Sequence, residues 1–160
     1  MIEIYDSFSR DYKKLKSPNK INLYVCGITT SDYCHLGHAF SSITFEVLDR
    51  FLSYKGFDVY RVQNFTDVDD KILNKSIEEG TSMKEVSEKY TKAFFEDMDA
   101  LGVKRASVYP KATEEIKNII SFILELEKKE LTYINNNSVY FKTNRFKDYG
   151  KLSGRKIDDA

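Results

Sequence analysis

Both histidines of the chain fall in one four-residue stretch, His35-Leu36-Gly37-His38, between an apolar strand-like run and a helical pattern. Two imidazoles at a helix start can donate hydrogen bonds to phosphoryl oxygens as charge builds in a transition state. The helix N-terminus adds unpaired N–H groups and a partial positive charge. Gly37 leaves the backbone bare, so a flat base can lie against it. Imidazolium cations are disfavoured at that end of a helix, which makes a nucleotide-phosphate site the better reading than two solvated side chains.

The elements that must position this pair follow from local pattern. Ile21-Asn22-Leu23-Tyr24-Val25-Cys26 reads as a strand, broken by Gly27 and followed by a polar loop to Asp32 or Tyr33. Leu36 to Tyr54 has helical spacing, with Phe40, Ile43, Val47 and Phe51 on one stripe and Gly56 suited to the position just past its end. Phe57 to Phe65 reads as a second strand, apolar on both faces as in a parallel sheet. The result is one βαβ unit, which predicts an α/β fold.

A short helix ending near Gly80 follows, and then a helix opened by the capping-box pair Ser82 and Glu85. Val86, Tyr90, Ala93, Phe94 and Leu101 form its stripe, stopped at Gly102. Residues 103–112 read as loop. A helix from about Thr113 to Lys129 turns Ile116, Ile119, Ile120, Ile123 and Leu124 to a core, and Asn135-Asn136-Asn137 reads as the turn of a hairpin. Thr66 reads as the cap of the helix after the second strand, with Asp69 in the capping-box place, and Asp32 as the cap of the first helix. Asp67, Asp69 and Asp70 are oxygen ligands suited to Mg²⁺, but helix-end stabilisation and contacts with Lys71 suit them better.

Composition bounds the rest. Twenty-five Lys and Arg balance twenty-five Asp and Glu, so the chain has no basic tail for nucleic acid. Eleven Phe and eleven Tyr argue against disorder. No apolar run approaches membrane length, and the start lacks the pattern of a signal peptide, so a cytoplasmic protein without a membrane partner is expected. Two cysteines, Cys26 and Cys34, make no disulfide framework. On residue type alone, Cys26 reads as a small buried hydrophobe. The polar stretch from Asn144 to Ala160 closes no core, which suggests the front part of a longer protein.

Taken in order, several blocks are specific. They are Tyr24-Val25-Cys26-Gly27-Ile28-Thr29, His35-Leu36-Gly37-His38, Asn64-Phe65-Thr66-Asp67-Val68-Asp69-Asp70-Lys71, Phe95-Glu96-Asp97-Met98, Leu101-Gly102-Val103, Pro110-Lys111-Ala112-Thr113-Glu114 and Tyr149-Gly150-Lys151-Leu152-Ser153. On these the chain resembles the N-terminal part of the cysteinyl-tRNA synthetases along essentially its whole length. The resemblance implies a Rossmann-like class I synthetase nucleotide-binding fold, its first half in residues 1–112 and the start of a connective insertion in 113–160. It implies activation of L-cysteine by ATP, with Mg²⁺, to cysteinyl-adenylate, and transfer to tRNA(Cys) by a monomer.

Residue by residue, it implies that His35 and His38 stabilise the transition state at the α-phosphate. Gly27, His35, Gly37 and His38 would bind ATP, and Cys26, Gly27 and Thr66 would meet the substrate cysteine. Cys26 would be the first ligand of a zinc ion whose other ligands lie beyond residue 160. A zinc–thiolate bond would separate cysteine from serine, a pair that a plain pocket discriminates weakly. A self-contained site of Cys26, Cys34, His35 and His38 is an alternative without any Cys-x-x-Cys spacing. Residues Lys142, Arg145, Lys147, Lys151, Arg155 and Lys156 would give the insertion a basic edge toward phosphates, with a plain solvated surface the equal alternative.

The chain departs from the family in places. Ile28-Thr29-Thr30-Ser31-Asp32 stands where Pro-Thr-Val-Tyr-Asp is usual, and Phe40 stands where an arginine is common. The Lys-Met-Ser-Lys-Ser loop and the anticodon-binding domain are missing from residues 1–160, so this chain alone is expected to be inactive. Rival readings are a cysteine:amino-sugar ligase of the same lineage, a stand-alone ATP- or tRNA-binding module, and a small adenylyltransferase.

Overall fold

The computed structural model describes residues 2–16 and 19–154. They divide into two compact units, residues 19–116 and residues 2–16 together with 117–154.

The first unit is built on a parallel strand pair. Strand β3, Lys20–Thr29, runs beside β4, Asp58–Thr66, with Lys20 opposite Asp58 and Thr29 opposite Thr66. Helix α1, Leu36–Tyr54, connects them and ends before Gly56 at φ +87°, as the spacing predicts. Residues 108–111 lie along the other side of β4 through parallel bridges Val62 to Val108 and Phe65 to Lys111. Gly27 does not break the strand, contrary to expectation. β3 continues through it to Thr29, with a register shift between Val25 and Ile28. Glycine is required there by proximity, because a Cβ would overlap the Asn64 carbonyl oxygen.

Helix α1 also turns a different face inward. Its buried residues are Ser42, Glu46 and Leu52, while Phe40, Ile43, Val47 and Phe51 of the expected stripe are exposed. Charge explains the rotation. Arg61 of β4 is buried and donates to Glu46 (Nη1 to Oε2, 3.1 Å) and to the Lys104 carbonyl. The Lys104 N–H reaches the same Glu46 oxygen at 3.1 Å, and Arg50 Nε donates to the other at 2.6 Å. A buried arginine demands a carboxylate, and that demand outranks four apolar side chains.

Helix α2, Asp70–Glu79, ends at Gly80 in the left-handed conformation. Helix α3, Met83–Ala100, opens on the predicted Ser82–Glu85 capping box. Val86, Tyr90 and Phe94 are buried as expected. Met98 completes the row instead of Leu101, which sits at the helix end and is exposed. One core holds Ile28, Phe65, Phe94, Met98 and Val103, with the Tyr109 ring stacked on Phe65 at 5.3 Å. Ile72, Val86 and Tyr90 form a second.

The other unit contains an unforeseen hairpin, β1 (Glu3–Asp6) with β2 (Asp11–Lys14). Asp6 closes its loop by accepting from Phe8 N–H, Ser9 N–H and the Ser9 hydroxyl. Helix α4, Ile116–Lys128, carries the predicted apolar face, but Ile116, Ile119, Ile120 and Leu124 are exposed. The predicted hairpin is β5 (Thr132–Asn135) with β6 (Ser138–Phe141). Asn136 and Asn137, at φ +46° and +62°, supply the left-handed pair that a two-residue turn requires. Among the described residues no helix is long and apolar enough to cross a membrane.

Candidate functional site

The histidine pair is organised by the first turn of α1. His35, not Asp32, is the N-cap. Its Nδ1 accepts the Gly37 N–H at 3.1 Å, and the His38 Nδ1 accepts the His35 N–H at 3.3 Å. This is a capping box made of two imidazoles, with the rings stacked at 3.8 Å and 19°. Part of the helix-end N–H set expected to face a ligand is therefore taken by the pair itself. Burial, then the neighbouring His35, hold the His38 pKa below its ordinary value. Asp32 turns back on its own loop, accepting the Tyr33 N–H at 2.8 Å. Gly37 is needed by its neighbour, since a Cβ there would stand 2.9 Å from His35 Cε1.

A second group gathers where β3 and β4 end, with Asn64 at its centre. Its Oδ1 accepts the Gly27 N–H at 2.9 Å and the Tyr24 hydroxyl at 2.8 Å, which pins the register shift next to Cys26. Its amide reaches the Thr66 hydroxyl at 3.5 Å. No local pattern gives Asn64 a role, because Tyr24 and Gly27 lie some forty positions away in sequence. Cys26 is exposed, not a buried hydrophobe. Thr66 ends β4 and does not cap α2; Asp69 does, accepting the Lys71 N–H. The Thr66 carbonyl instead receives the Thr30 N–H at 3.2 Å, and buried Thr30 shares a 2.6 Å hydrogen bond with Ser87.

The acidic residues have structural work. Asp67 accepts from the Thr113 N–H and hydroxyl, fixing the turn of residues 111–114 to the end of β4. It lines a cleft of about 490 Å³ with Val68, Ser87 and Thr113. Among the described residues no three His, Cys, Asp or Glu side chains gather as a metal would need. The four-ligand alternative with Cys34 fails on this ground. Burial and Asp97 push the Cys34 thiol up to about 11, and it packs against the core. Cys26 alone, one thiol, does not constitute a zinc site.

The His pair, and the group of Cys26, Gly27, Asn64 and Thr66, both stand where the parallel strands end, the usual ligand end of such a sheet. Known proteins match the chain as a whole. The model of the tRNA synthetases class I (C) catalytic domain matches residues 12–160. A cysteine–tRNA ligase of Gloeothece citriformis is 46% identical over 99% of this chain and 33% of its own length. One from Clostridioides difficile is 49% identical over 99% of this chain and 34% of its own length. The chain thus spans about a third of the length of the curated relatives it matches. Among solved structures, Mycobacterium tuberculosis methionyl-tRNA synthetase in complex with methionyl-adenylate aligns at TM-score 0.64 and 11% identity, over 77% of this chain and 29% of that one. The Agrobacterium radiobacter K84 LeuRS of a ternary complex with tRNA and LeuAMS aligns at 0.63 and 20%, over 81% and 16%. These two speak for the fold, which is the Rossmann-like class I synthetase fold. The chain belongs to the class I (C) tRNA synthetase catalytic-domain family.

Proposed function

We propose that this chain is the first part of a cysteine–tRNA ligase. In the first step a carboxylate oxygen of L-cysteine attacks the α-phosphorus of ATP, bound with Mg²⁺, and pyrophosphate leaves. In the second, a ribose hydroxyl at the 3′ end of tRNA(Cys) attacks the acyl carbon and AMP leaves. The observation that carries the reading is the stacked pair His35 and His38, whose Nδ1 atoms are occupied by backbone N–H groups so that the other ring edges serve the phosphate. The names of relatives 46–49% identical support the choice of amino acid and tRNA.

Gly37, whose Cβ side is taken by the His35 ring, borders the ATP with its bare backbone, and Gly27 and Thr66 border the amino acid. Cys26 would be one thiolate toward a zinc ion whose other ligands lie outside residues 1–160. Residues 1–112 form the first part of the catalytic fold and 113–160 the start of the insertion that meets the tRNA. Lys142, Arg145, Lys147 and Lys151 give that insertion its basic edge; Arg155 and Lys156 lie outside the described residues. The complete enzyme acts as a cytoplasmic monomer, and residues 1–160 alone are inactive.

Cysteine-dependent exchange of pyrophosphate into ATP, measured on a protein of the relatives' full length, tests the reading. His35→Asn and His38→Gln each keep a side-chain oxygen for the cap and remove the ring donor. A fall of about 10²–10³ in exchange rate is expected for each, by analogy with loss of one preorganised donor. Exchange driven by another amino acid, or cysteine delivered to an amino sugar instead of tRNA, overturns it.

A further inference from the structure

The ring atoms of the histidine pair carry more information than their position. An imidazole nitrogen that accepts an N–H has its lone pair in the ring plane and bears no proton. His35 Nδ1 accepts from Gly37 and His38 Nδ1 accepts from His35, so in a neutral ring the one proton must sit on Nε2 in both. Protonating either Nδ1 would set two donors against each other and open the cap. The stack opposes it too, since two imidazolium rings at 3.8 Å would repel. The helix N-terminus opposes it a third time. Burial acts on His38 in the same direction.

We infer that His35 and His38 are held, before any ligand arrives, as a pair of neutral Nε2–H tautomers, and that Gly37 is the positioning residue that lets them be so. Two N–H donors then meet a polyanion without a cation having been installed at the positive end of α1. The tautomers need no rearrangement as charge develops, which is what preorganisation means for a donor pair. Gly37 matters because the His35 ring lies over it: a Cβ would be 2.9 Å from Cε1 and 3.1 Å from Nδ1, inside ordinary contact. The two rings are also coupled. His38 anchors the N–H of His35, while His35 anchors the N–H immediately before His38, so displacing one releases the other.

That the donors face phosphate rests on the proposed synthetase reading; the tautomers themselves do not. Long-range ¹H–¹⁵N correlation spectra of the full chain at pH 7.5, without nucleotide, report each ring's protonated nitrogen directly. His35→Asn and His38→Gln assign the two sets of signals. The expected result is a single tautomer for both rings, protonated at Nε2 and bare at Nδ1. An Nδ1–H ring, an average of tautomers, or an imidazolium in either position overturns the proposal. Gly37→Ala, checked for intact helix by far-UV circular dichroism, is expected to turn the His35 signals to a tautomer average. A fixed Nε2–H tautomer in that variant removes Gly37 from the proposal. His38→Ala is expected to loosen His35 while His38→Gln leaves it fixed; equal effects refute the coupling. Failure of cysteine-dependent exchange with the tautomers as expected would remove the synthetase reading and leave this one standing.

Discussion

The carboxylate of Glu46 should be worth far more to stability than its closest contact suggests. Its shortest hydrogen bond, 2.6 Å, goes to Arg50, whose side chain is 54% exposed. Its longer one, 3.1 Å, goes to Arg61, and those two side chains are 4% and 6% exposed. Exposed pairs contribute about 0–1 kcal/mol, whereas removing one partner of a buried pair costs about 3–5 kcal/mol because the other charge stays buried. Glu46→Gln keeps the volume and deletes the charge. Asp49 remains 3.4 Å from Arg61 Nε and offsets part of the loss, so about 3 kcal/mol is expected, the lower end of the range. With a urea m-value of about 2 kcal/mol/M, the unfolding midpoint moves down by about 1.5 M. Arg50→Ala should move it by less than about 0.5 M. Replacing Glu46 and Arg61 together by Leu and Met should cost less than Glu46→Gln alone, since the most deeply buried pair leaves together and only the less buried Asp49 loses its partner. Urea titrations followed by far-UV circular dichroism decide it. A Glu46→Gln variant within about 0.5 kcal/mol of the parent, or Arg50→Ala as costly as Glu46→Gln, would refute the reasoning.

Three further outcomes follow from the same physics. Gly27→Ala should destabilise the chain by several-fold more than Gly56→Ala, measured by thermal melting, because only position 27 faces a backbone carbonyl that cannot move aside. Thr30→Val should cost about 1–3 kcal/mol by urea titration, as it leaves buried Ser87 without its partner, while Thr30→Val with Ser87→Ala should recover most of it. On acidification, Glu85 is held down to about 2 by the hydroxyls of Thr81 and Ser82 and the Ser82 N–H. Burial pushes the Glu46 pKa up, but its bonds from Arg50, Arg61 and the Lys104 N–H outweigh that and leave it below its ordinary value. A carboxylate with a depressed folded pKa stabilises fully above its unfolded value and loses that contribution as pH falls through the folded one. Stability should therefore decline from about pH 4.5 toward 2, and Glu85→Gln should make the decline shallower in pH-dependent melts.

What could be read from the residues was whatever neighbours in sequence decide. The end of α1 at Gly56, the Ser82–Glu85 cap and the Asn136–Asn137 turn are local chemistry, and each stands where expected. The hidden part depended on distant partners. The inward face of α1 is chosen by Arg61 and Lys104, which no helical period reveals. Gly27 looks like a strand breaker until Asn64 is seen pressed against it. The histidine motif was legible as the entry to a helix, yet its role of capping that helix with its own rings came only with the ring geometry.

The parallel pairing of β3 and β4 also sets how this unit assembles in time. Every rung joins residues about 40 positions apart, and the contacts of 108–111 with β4 span more. The hairpins β1–β2 and β5–β6 close over short turns on a scale of about 1–10 μs, and helices relax within about 1 μs. The strand pair must wait for its loop to close at an entropic cost that local structure does not repay. Contact order, not helix strength, then governs the speed of this unit: a better helix at α1 shortens nothing until β3 and β4 have met.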